Sequence, residues 1–324
     1  MPRAPLGYTP GDRVGLALDL DGTAYRDGSV FVETMAYLAV GGSTLDLDDA
    51  ERERLRRAVL EVARYRGGEP TRRRWAWVLR ALGLVGTFGG PSLAGDALER
   101  IARVRAGRSR PDSGASSAST SATRGSLDYD GMRRTTLGGY GEMLRGRDRT
   151  SVERATDRIV RERLPVDGRL RTVLGRVREA GGEVAFVSDA PAHLVRSYAA
   201  LLVDDARIRA TAFGTEEGRY TGRYEPVDKR AALETLRGTR DWDYVLAAGD
   251  SAVDAEMADV ADCFLAVAGQ GDGHRRFEAS NPAPLAAPAS LRRALGPDRR
   301  TVRVGPSEDL ADALVAVLGA AGVL

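Results

Sequence analysis

Two aspartates at the end of the first apolar segment are the residues of this chain best placed to do chemistry. In the stretch LALDLDGTAYRDG, residues 16–28, the segment Leu16–Leu20 predicts a buried strand, and Asp19 and Asp21 lie one residue apart at its end. Like charges at this separation repel each other, and burial raises the free-energy cost further. The pair therefore indicates a functional site in which another group neutralises the charge.

Further polar side chains follow later apolar runs. Ser188 lies in FVSDAP, Asp250 and Asp254 lie in AAGDSAVD, and Lys229 is at the start of a predicted helix between these two segments. Lys229 is also the only lysine among 48 basic residues. Ligands of open α/β sheets bind at the carboxyl ends of the strands. The pattern therefore predicts that these side chains share one crevice with Asp19.

The residue types in this set fit phosphoryl chemistry with a divalent cation. Mg²⁺ prefers carboxylate and carbonyl oxygens and leaves room for a phosphate oxygen. One aspartate can attack phosphorus while a second carboxylic acid protonates the leaving oxygen and then activates water. A hydroxyl, backbone N–H groups and a lysine are suitable donors to the phosphoryl oxygens. Two positions keep a structural alternative, since Ser188 before Pro191 is also typical of a helix cap and Asp254 of a first helical turn.

The order of the predicted elements favours an α/β fold. Strands are predicted near residues 14–20, 183–187, 208–213, 244–248 and 263–267, with amphipathic helices between the later ones. Short apolar runs that alternate with helices predict a doubly wound parallel sheet, here made from residues 1–25 and 165–324. Residues 26–164 are predicted to form a mostly α-helical inserted domain, in which the Ser/Ala/Gly-rich segment 106–126 is expected to be disordered.

The chain resembles the haloacid dehalogenase superfamily, and four motifs carry the resemblance in the family's order. They are DLDGT at the first strand, Ser188 after the second, Lys229 at a helix start, and GDSAVD. The resemblance implies a Rossmann-like core with a helical cap and a phosphoryl-aspartate intermediate. It implies a nucleophile at Asp19 and a general acid/base at Asp21. The residues that it implies as Mg²⁺ ligands are Asp19, Asp21 (through its backbone carbonyl), Asp250 and Asp254, and those that bind phosphate are Gly22, Thr23, Ser188 and Lys229.

The same resemblance points to a branch and a class of substrate. Dehalogenases of the superfamily lack an aspartate at the position of Asp21, so phosphoryl chemistry is expected. The segment EEGRYTGRYEPVDKRAALETL resembles phosphoserine phosphatases, in which a Gly–x–aromatic–Thr–Gly hairpin precedes the lysine helix. The prediction is a Mg²⁺-dependent phosphatase for a small phosphorylated metabolite, possibly related to phosphoserine. The alternatives are a phosphotransferase or phosphomutase on the same residues and a non-catalytic polyanion-binding protein.

Composition sets the expected surroundings and partners. A net charge of +2 gives no reason to expect a nucleic-acid partner. Cys263 is the single cysteine, which suits a reducing compartment. The sequence has neither an apolar stretch of membrane-spanning length nor the pattern of a signal peptide. A cytoplasmic protein without a membrane partner is expected, while the oligomeric state stays open. The arginines of the inserted region are expected to form a solvated face, with contact to an anionic substrate as the alternative; among them are Arg133, Arg134, Arg145 and Arg147.

Overall fold

The computed structural model describes residues 11–25, 29–39, 45–65, 129–251, 253–267, 301–304 and 309–324. Its strands are β1 (Val14–Leu18), β2 (Glu183–Pro191), β3 (Arg207–Glu216), β4 (Arg219–Glu225), β5 (Tyr244–Gly249), β6 (Cys263–Val267) and β7 (Thr301–Val304). Its helices are α1 (Val30–Ala39), α2 (Asp49–Tyr65), α3 (Tyr129–Leu144), α4 (Arg149–Arg163), α5 (Gly168–Glu179), α6 (Ala192–Leu202), α7 (Lys229–Arg240), α8 (Ala255–Ala258) and α9 (Leu310–Ala321).

The strands form one sheet in the order β4-β3-β2-β1-β5-β6-β7. All neighbouring pairs are parallel except β3 and β4, which form an antiparallel hairpin. The chain places β2 on one side of β1 and β5 on the other, so the strand order reverses beside β1. Open α/β sheets bind ligands at the carboxyl ends of the strands where the order reverses. The topology therefore predicts a ligand site at the carboxyl ends of β1, β2 and β5.

The apolar character of the central strands explains their position in the sheet. Every residue of β1, β5 and β6 is buried, as expected for parallel strands that are covered by helices on both faces. One face of the sheet packs against a core that includes Leu16, Leu18 and Leu246, and the other against a second core with Val245 and Phe264. Packing on both faces holds these strands in place, and with them the polar residues at their carboxyl ends.

The described part of the inserted region is helical and packs on the sheet. Helix α3 contacts α2 and the hairpin strand β4, and α4 contacts α6. Buried residues of α1 to α4 belong to the same hydrophobic cluster as β1 and β2. The division into a core and an inserted cap domain stays a prediction, and the segment 106–126 lies outside the described residues.

The predicted fold class is confirmed, with differences in the ends of the elements. The sheet is largely parallel and doubly wound with helices on its faces, as the alternation of segments predicts. β1 ends at Leu18 and not at Leu20, because the chain turns there and Thr23 N donates to Leu20 O. β2 continues to Pro191, past the predicted end at Val187. None of the described helices has the length and apolar character needed to cross a membrane.

Candidate active site

Asp19 lies directly after β1 and is held by the neighbouring strand and by a lysine. Its backbone N donates to Ala248 O at 2.9 Å, which continues the pairing of β1 with β5. Its carboxylate Oδ1 accepts a hydrogen bond from Lys229 Nζ at 2.7 Å. The two side chains are 5% and 3% exposed, so this is a buried ion pair. An ammonium is thus fixed against the carboxylate at the carboxyl end of the central strand.

Lys229 is positioned by the beginning of α7. Asp228 is the N-cap of this helix, and its side chain accepts a hydrogen bond from Ala231 N at 2.9 Å. Leu233 and Leu236 are buried against the sheet and fix the direction of the helix. Lys229 is therefore the first helical residue, and its side chain reaches both Asp19 and Asp254.

Asp254 is fully buried and makes hydrogen bonds through both carboxylate oxygens. Its Oδ1 accepts from Lys229 Nζ, and its Oδ2 accepts from the backbone N of Asp250 at 3.0 Å and of Ser251 at 2.8 Å. The Ser251 hydroxyl donates to the same Oδ2 at 2.6 Å. A Cβ at Gly249 would lie 2.2 Å from Asp254 Cβ, so only glycine permits this approach. Asp254 thus shapes the loop after β5, a role beyond both the expected place in the metal site and its alternative as a first-turn acid.

Asp250 lies close to Gly22 in the loop after β1. A Cβ at Gly22 would lie 2.1 Å from Asp250 Oδ2, and Gly22 has a φ of +91°. The left-handed backbone favours glycine here, and any other side chain would also force the Asp250 carboxylate to move. Gly22, predicted as a phosphate-binding residue, is the position at which these two loops touch.

Three carboxylates come together in a way that suits a hard divalent cation. One oxygen each of Asp19, Asp250 and Asp254 lie within 4.8 Å of one another. Burial raises the pKa of Asp19 well above its usual value, and the charge of Asp254 raises it further, while Lys229 lowers it. Within the described residues, Asp19 and Asp254 share the single ammonium of Lys229, so this buried pair keeps one negative charge over. An all-oxygen donor set is the kind that Mg²⁺ prefers. A cation of this class fits the residues present.

Ser188 and Thr23 lie beside this cluster as candidate phosphate donors. β2 pairs with β1 so that Phe186 is opposite Leu18, which places Ser188 at the same edge of the sheet as Asp19. Ser188 is buried, and its Oγ accepts from Ala190 N at 3.3 Å. Within the described residues, Thr23 Oγ1 is buried and has no hydrogen-bond partner. A buried hydroxyl of this kind is suited to a ligand oxygen.

The side chain of Asp21 points to a different neighbour from the other aspartates. Its Oδ1 accepts from Val30 N at 2.7 Å and its Oδ2 accepts from the Ser29 hydroxyl, at the start of α1. Its carboxylate is not part of the three-carboxylate cluster. The predicted metal ligand at Asp21 is its backbone carbonyl and not its carboxylate. The predicted acid/base is thus fixed by the first helix of the inserted region.

Two polar contacts near the site have no counterpart in the sequence predictions. Arg133 of α3 pairs with Asp189 next to Ser188, although a solvated position was expected for this arginine. The Tyr140 hydroxyl and His193 Nε2 share a buried hydrogen bond of 2.9 Å between α3 and α6. The partners in each pair lie more than 50 residues apart in the chain. A local sequence signal for such pairs does not exist.

Comparisons with known proteins identify one family and several similar structures. The family model for haloacid dehalogenase-like hydrolases matches residues 15–262. The chain is similar to a protein of unknown function from Bordetella pertussis Tohama I, with 17% identity, coverage of 84% of this chain and 96% of that one, and a TM-score of 0.49.

Two further solved structures are of phosphoserine phosphatases. One is a probable phosphoserine phosphatase from Vibrio cholerae, with 16% identity, coverage of 96% and 67%, and a TM-score of 0.46. The other is a phospho-aspartyl intermediate analogue of phosphoserine phosphatase, with 14% identity, coverage of 80% and 88%, and a TM-score of 0.42. No curated protein matches the chain.

Proposed function

The chain belongs to the haloacid dehalogenase-like hydrolases, and on this premise we propose that it is a Mg²⁺-dependent phosphatase of small phosphomonoesters. The observation that carries the proposal is the convergence of three carboxylates and one lysine after β1, β5 and at the start of α7. This arrangement combines a nucleophile, a site for a cation and a donor to phosphate within one buried edge of the sheet.

Asp19 acts as the nucleophile and Asp21 as the acid and base in two steps. First, a carboxylate oxygen of Asp19 bonds to phosphorus, the bond from phosphorus to the leaving oxygen breaks, and Asp21 gives its proton to that oxygen. Then Asp21 takes a proton from water, the water oxygen bonds to phosphorus, and the bond to Asp19 breaks. Phosphate leaves, and both aspartates return to their starting protonation. The hydrogen bonds from Ser29 and Val30 orient the Asp21 carboxylate and stabilise its ionised form, which is the form that takes the proton from water.

The cation would be held by the three-carboxylate cluster. Asp19 and Asp250 would be direct side-chain ligands, and the backbone carbonyl of Asp21 is a further candidate. Asp254 would assist directly or through water, because both of its oxygens already accept hydrogen bonds. When bound, Mg²⁺ supplies the positive charge that lets a phosphate dianion approach several carboxylates. Lys229 alone does not provide this charge, because it already neutralises Asp19 and Asp254 in part.

The phosphoryl oxygens are bound by the donors on either side of Asp19. Lys229 supplies the ammonium, and Ser188 and Thr23 supply hydroxyl groups. Within the part of the chain that the structure describes, Thr23 Oγ1 is buried and has no hydrogen-bond partner, which supports a phosphoryl oxygen as its partner. The backbone around Gly22 completes this set, since glycine keeps the loop close to Asp250.

A substrate related to phosphoserine is the class we would test first. Gly218–Gly222 form the turn and the beginning of β4 in the β3–β4 hairpin, directly before the lysine helix. This is the segment that resembles phosphoserine phosphatases. The helices between β1 and β2 would act as the cap that covers such a substrate, and α3 already packs on β4.

Release of inorganic phosphate from a panel of phosphomonoesters with Mg²⁺ tests the proposal. The panel includes phosphoserine, sugar phosphates and p-nitrophenyl phosphate. Asp19→Asn should lower turnover by at least about 10⁴-fold, because an amide of the same shape cannot attack phosphorus. The matched control is Asp205→Asn, an exposed aspartate away from the site that should leave turnover unchanged.

Two results would change the proposal in different ways. Turnover by Asp19→Asn within about tenfold of the wild type would exclude Asp19 as the nucleophile. Transfer of the phosphoryl group to an added alcohol or sugar, in preference to water, would identify a phosphotransferase on the same residues.

A further inference from the structure

Arg133 connects the inserted region to two loops of the candidate site. It lies in the second turn of α3, and its Nη2 donates to Asp189 Oδ1 and to Val227 O, the latter at 3.0 Å. The Arg133 and Asp189 side chains are only 19% and 16% exposed. A shielded ion pair of this kind interacts more strongly than the exposed pairs elsewhere on the helices.

Both acceptors of Arg133 are next to proposed phosphate-binding residues. Asp189 directly follows Ser188 at the end of β2, and Val227 lies two residues before Lys229. Asp189 O also accepts a hydrogen bond from the Thr211 hydroxyl at 2.7 Å, which fixes this loop to β3. The guanidinium group thus contacts the end of β2, which carries the hydroxyl donor, and the segment directly before α7, which begins with the ammonium donor.

The surroundings of this guanidinium group are acidic. Glu256 interacts electrostatically with Asp228 and Asp189, and also with Lys229 and Arg133. A phosphate dianion that approaches Ser188 and Lys229 meets this negative charge in addition to the carboxylates of the cluster. Arg133 is the arginine whose ion pair neutralises Asp189.

We propose that Arg133 is a positioning residue that acts through Asp189: it neutralises this carboxylate and thereby lets the adjacent donors bind a phosphate dianion. The inference rests on the proposed function. Since Arg133 belongs to α3, phosphate affinity depends on the docking of the inserted region against the sheet. Substrate binding and the position of the inserted helices are therefore coupled through one ion pair.

Removal of Arg133 should affect phosphate binding more than turnover. In Arg133→Met the Asp189 carboxylate loses the guanidinium group that is paired with it, so KM for p-nitrophenyl phosphate should rise about 10-fold or more, with a smaller change in kcat. The inhibition constant of inorganic phosphate should rise in parallel. Arg134→Met is the matched control, because Arg134 is an exposed neighbour on the same helix.

A second substitution separates this role from a merely structural one. In Arg133→Met/Asp189→Asn the negative charge that pairs with Arg133 is removed together with Arg133, so KM should return to within about threefold of the wild type. Asp189→Asn alone should leave KM unchanged or lower it, and Arg133→Lys should keep most of the affinity. These two single variants also test the inference if Arg133→Met does not fold, which thermal melting would reveal.

The outcomes distinguish this inference from the proposed function. If the wild type hydrolyses phosphomonoesters but Arg133→Met has the KM of Arg134→Met, the inference on Arg133 is wrong and the proposed function stands. An Asp189→Asn variant with a raised KM, or a double variant no better than Arg133→Met, would also overturn the charge role. A wild type that neither hydrolyses phosphomonoesters nor binds inorganic phosphate would overturn the proposed function and this inference together.

Discussion

Two buried polar clusters lie in this molecule, and they differ in how their charge is balanced. The first contains Asp19, Asp254 and Lys229 at the end of β1. The second is the pair of Tyr140 and His193 between α3 and α6. Both clusters are buried and both join segments that lie far apart in the chain.

The second cluster is satisfied by the protein itself. The Tyr140 hydroxyl and the His193 ring share a hydrogen bond, and the rings of Phe31 and Phe213 contact Tyr140 edge to face. Burial lowers the pKa of His193 to about 3, with smaller contributions from nearby arginines. The imidazole is therefore neutral near pH 7, and the pair needs no charged partner.

The first cluster is not balanced by the protein in the same way. Three carboxylates converge there, and within the described residues Lys229 is the cation that contacts Asp19 and Asp254. Burying unequal charge is costly unless a further ion or ligand compensates it. The Tyr140–His193 hydrogen bond therefore needs no further group. The excess of carboxylates in the first cluster indicates a site that a ligand completes.

Mg²⁺ should stabilise the protein through the first cluster. At a concentration about 100 times its dissociation constant, the ion should raise the free energy of unfolding by about 2.7 kcal/mol. Asp250→Ala should remove most of this gain, because it takes away one of the three carboxylates, whereas His193→Gln should keep it. Thermal melts with and without Mg²⁺ measure both variants.

The pH dependence of this gain follows from Asp19. Its pKa is raised in the folded protein, so protons compete with the cation for its carboxylate as the pH falls. The stabilisation by Mg²⁺ should be larger at pH 7.5 than at pH 5.5. An equal gain in Asp250→Ala and the wild type, at either pH, would mean that the ion binds elsewhere.

For a change of one pH unit, a smaller effect than that of Mg²⁺ is expected from the neutral cluster. The pKa of His193 is about 3 in the folded protein, below its ordinary value of 6.5. Below pH 6.5 the unfolded chain therefore binds a proton that the folded chain excludes, so stability falls as the pH falls, down to about pH 3. The loss is about 1.4 kcal/mol for each pH unit in this range.

His193→Gln isolates this contribution, because it removes the titration and keeps an amide to pair with Tyr140. Urea denaturation at pH 6 and pH 5 should show a smaller loss of stability in the variant than in the wild type, by about 1.4 kcal/mol. The same loss in both proteins would show that His193 is not held neutral.

The sequence predicts the sheet and the members of the charged cluster well, for a physical reason. Parallel strands end at the same edge of a sheet, so polar residues after separate apolar runs are expected to meet. Asp19, Asp250, Asp254 and Lys229 come together in this way. The roles assigned to them stay predictions until activity is measured.

The side-chain contacts of the inserted region could not be predicted from the sequence. The side chain of Asp21 is bound by Ser29 and Val30, eight and nine residues further on, and Arg133 reaches Asp189 across 56 residues. Such pairings depend on how helices dock on the sheet, and apolar periodicity gives the buried face of a helix but not its partner. This is why Arg133 was expected in solvent.

Calorimetric binding of beryllium fluoride with Mg²⁺ tests the central claim most directly, because this complex imitates a phosphoryl group on an aspartate and is not turned over. A site built around a phosphoryl-aspartate needs the Asp19 carboxylate for this capture. The wild type should bind beryllium fluoride only when Mg²⁺ is present, and Asp19→Ala should show no binding under the same conditions. Equal affinity of the wild type and Asp19→Ala would contradict a covalent mechanism through Asp19.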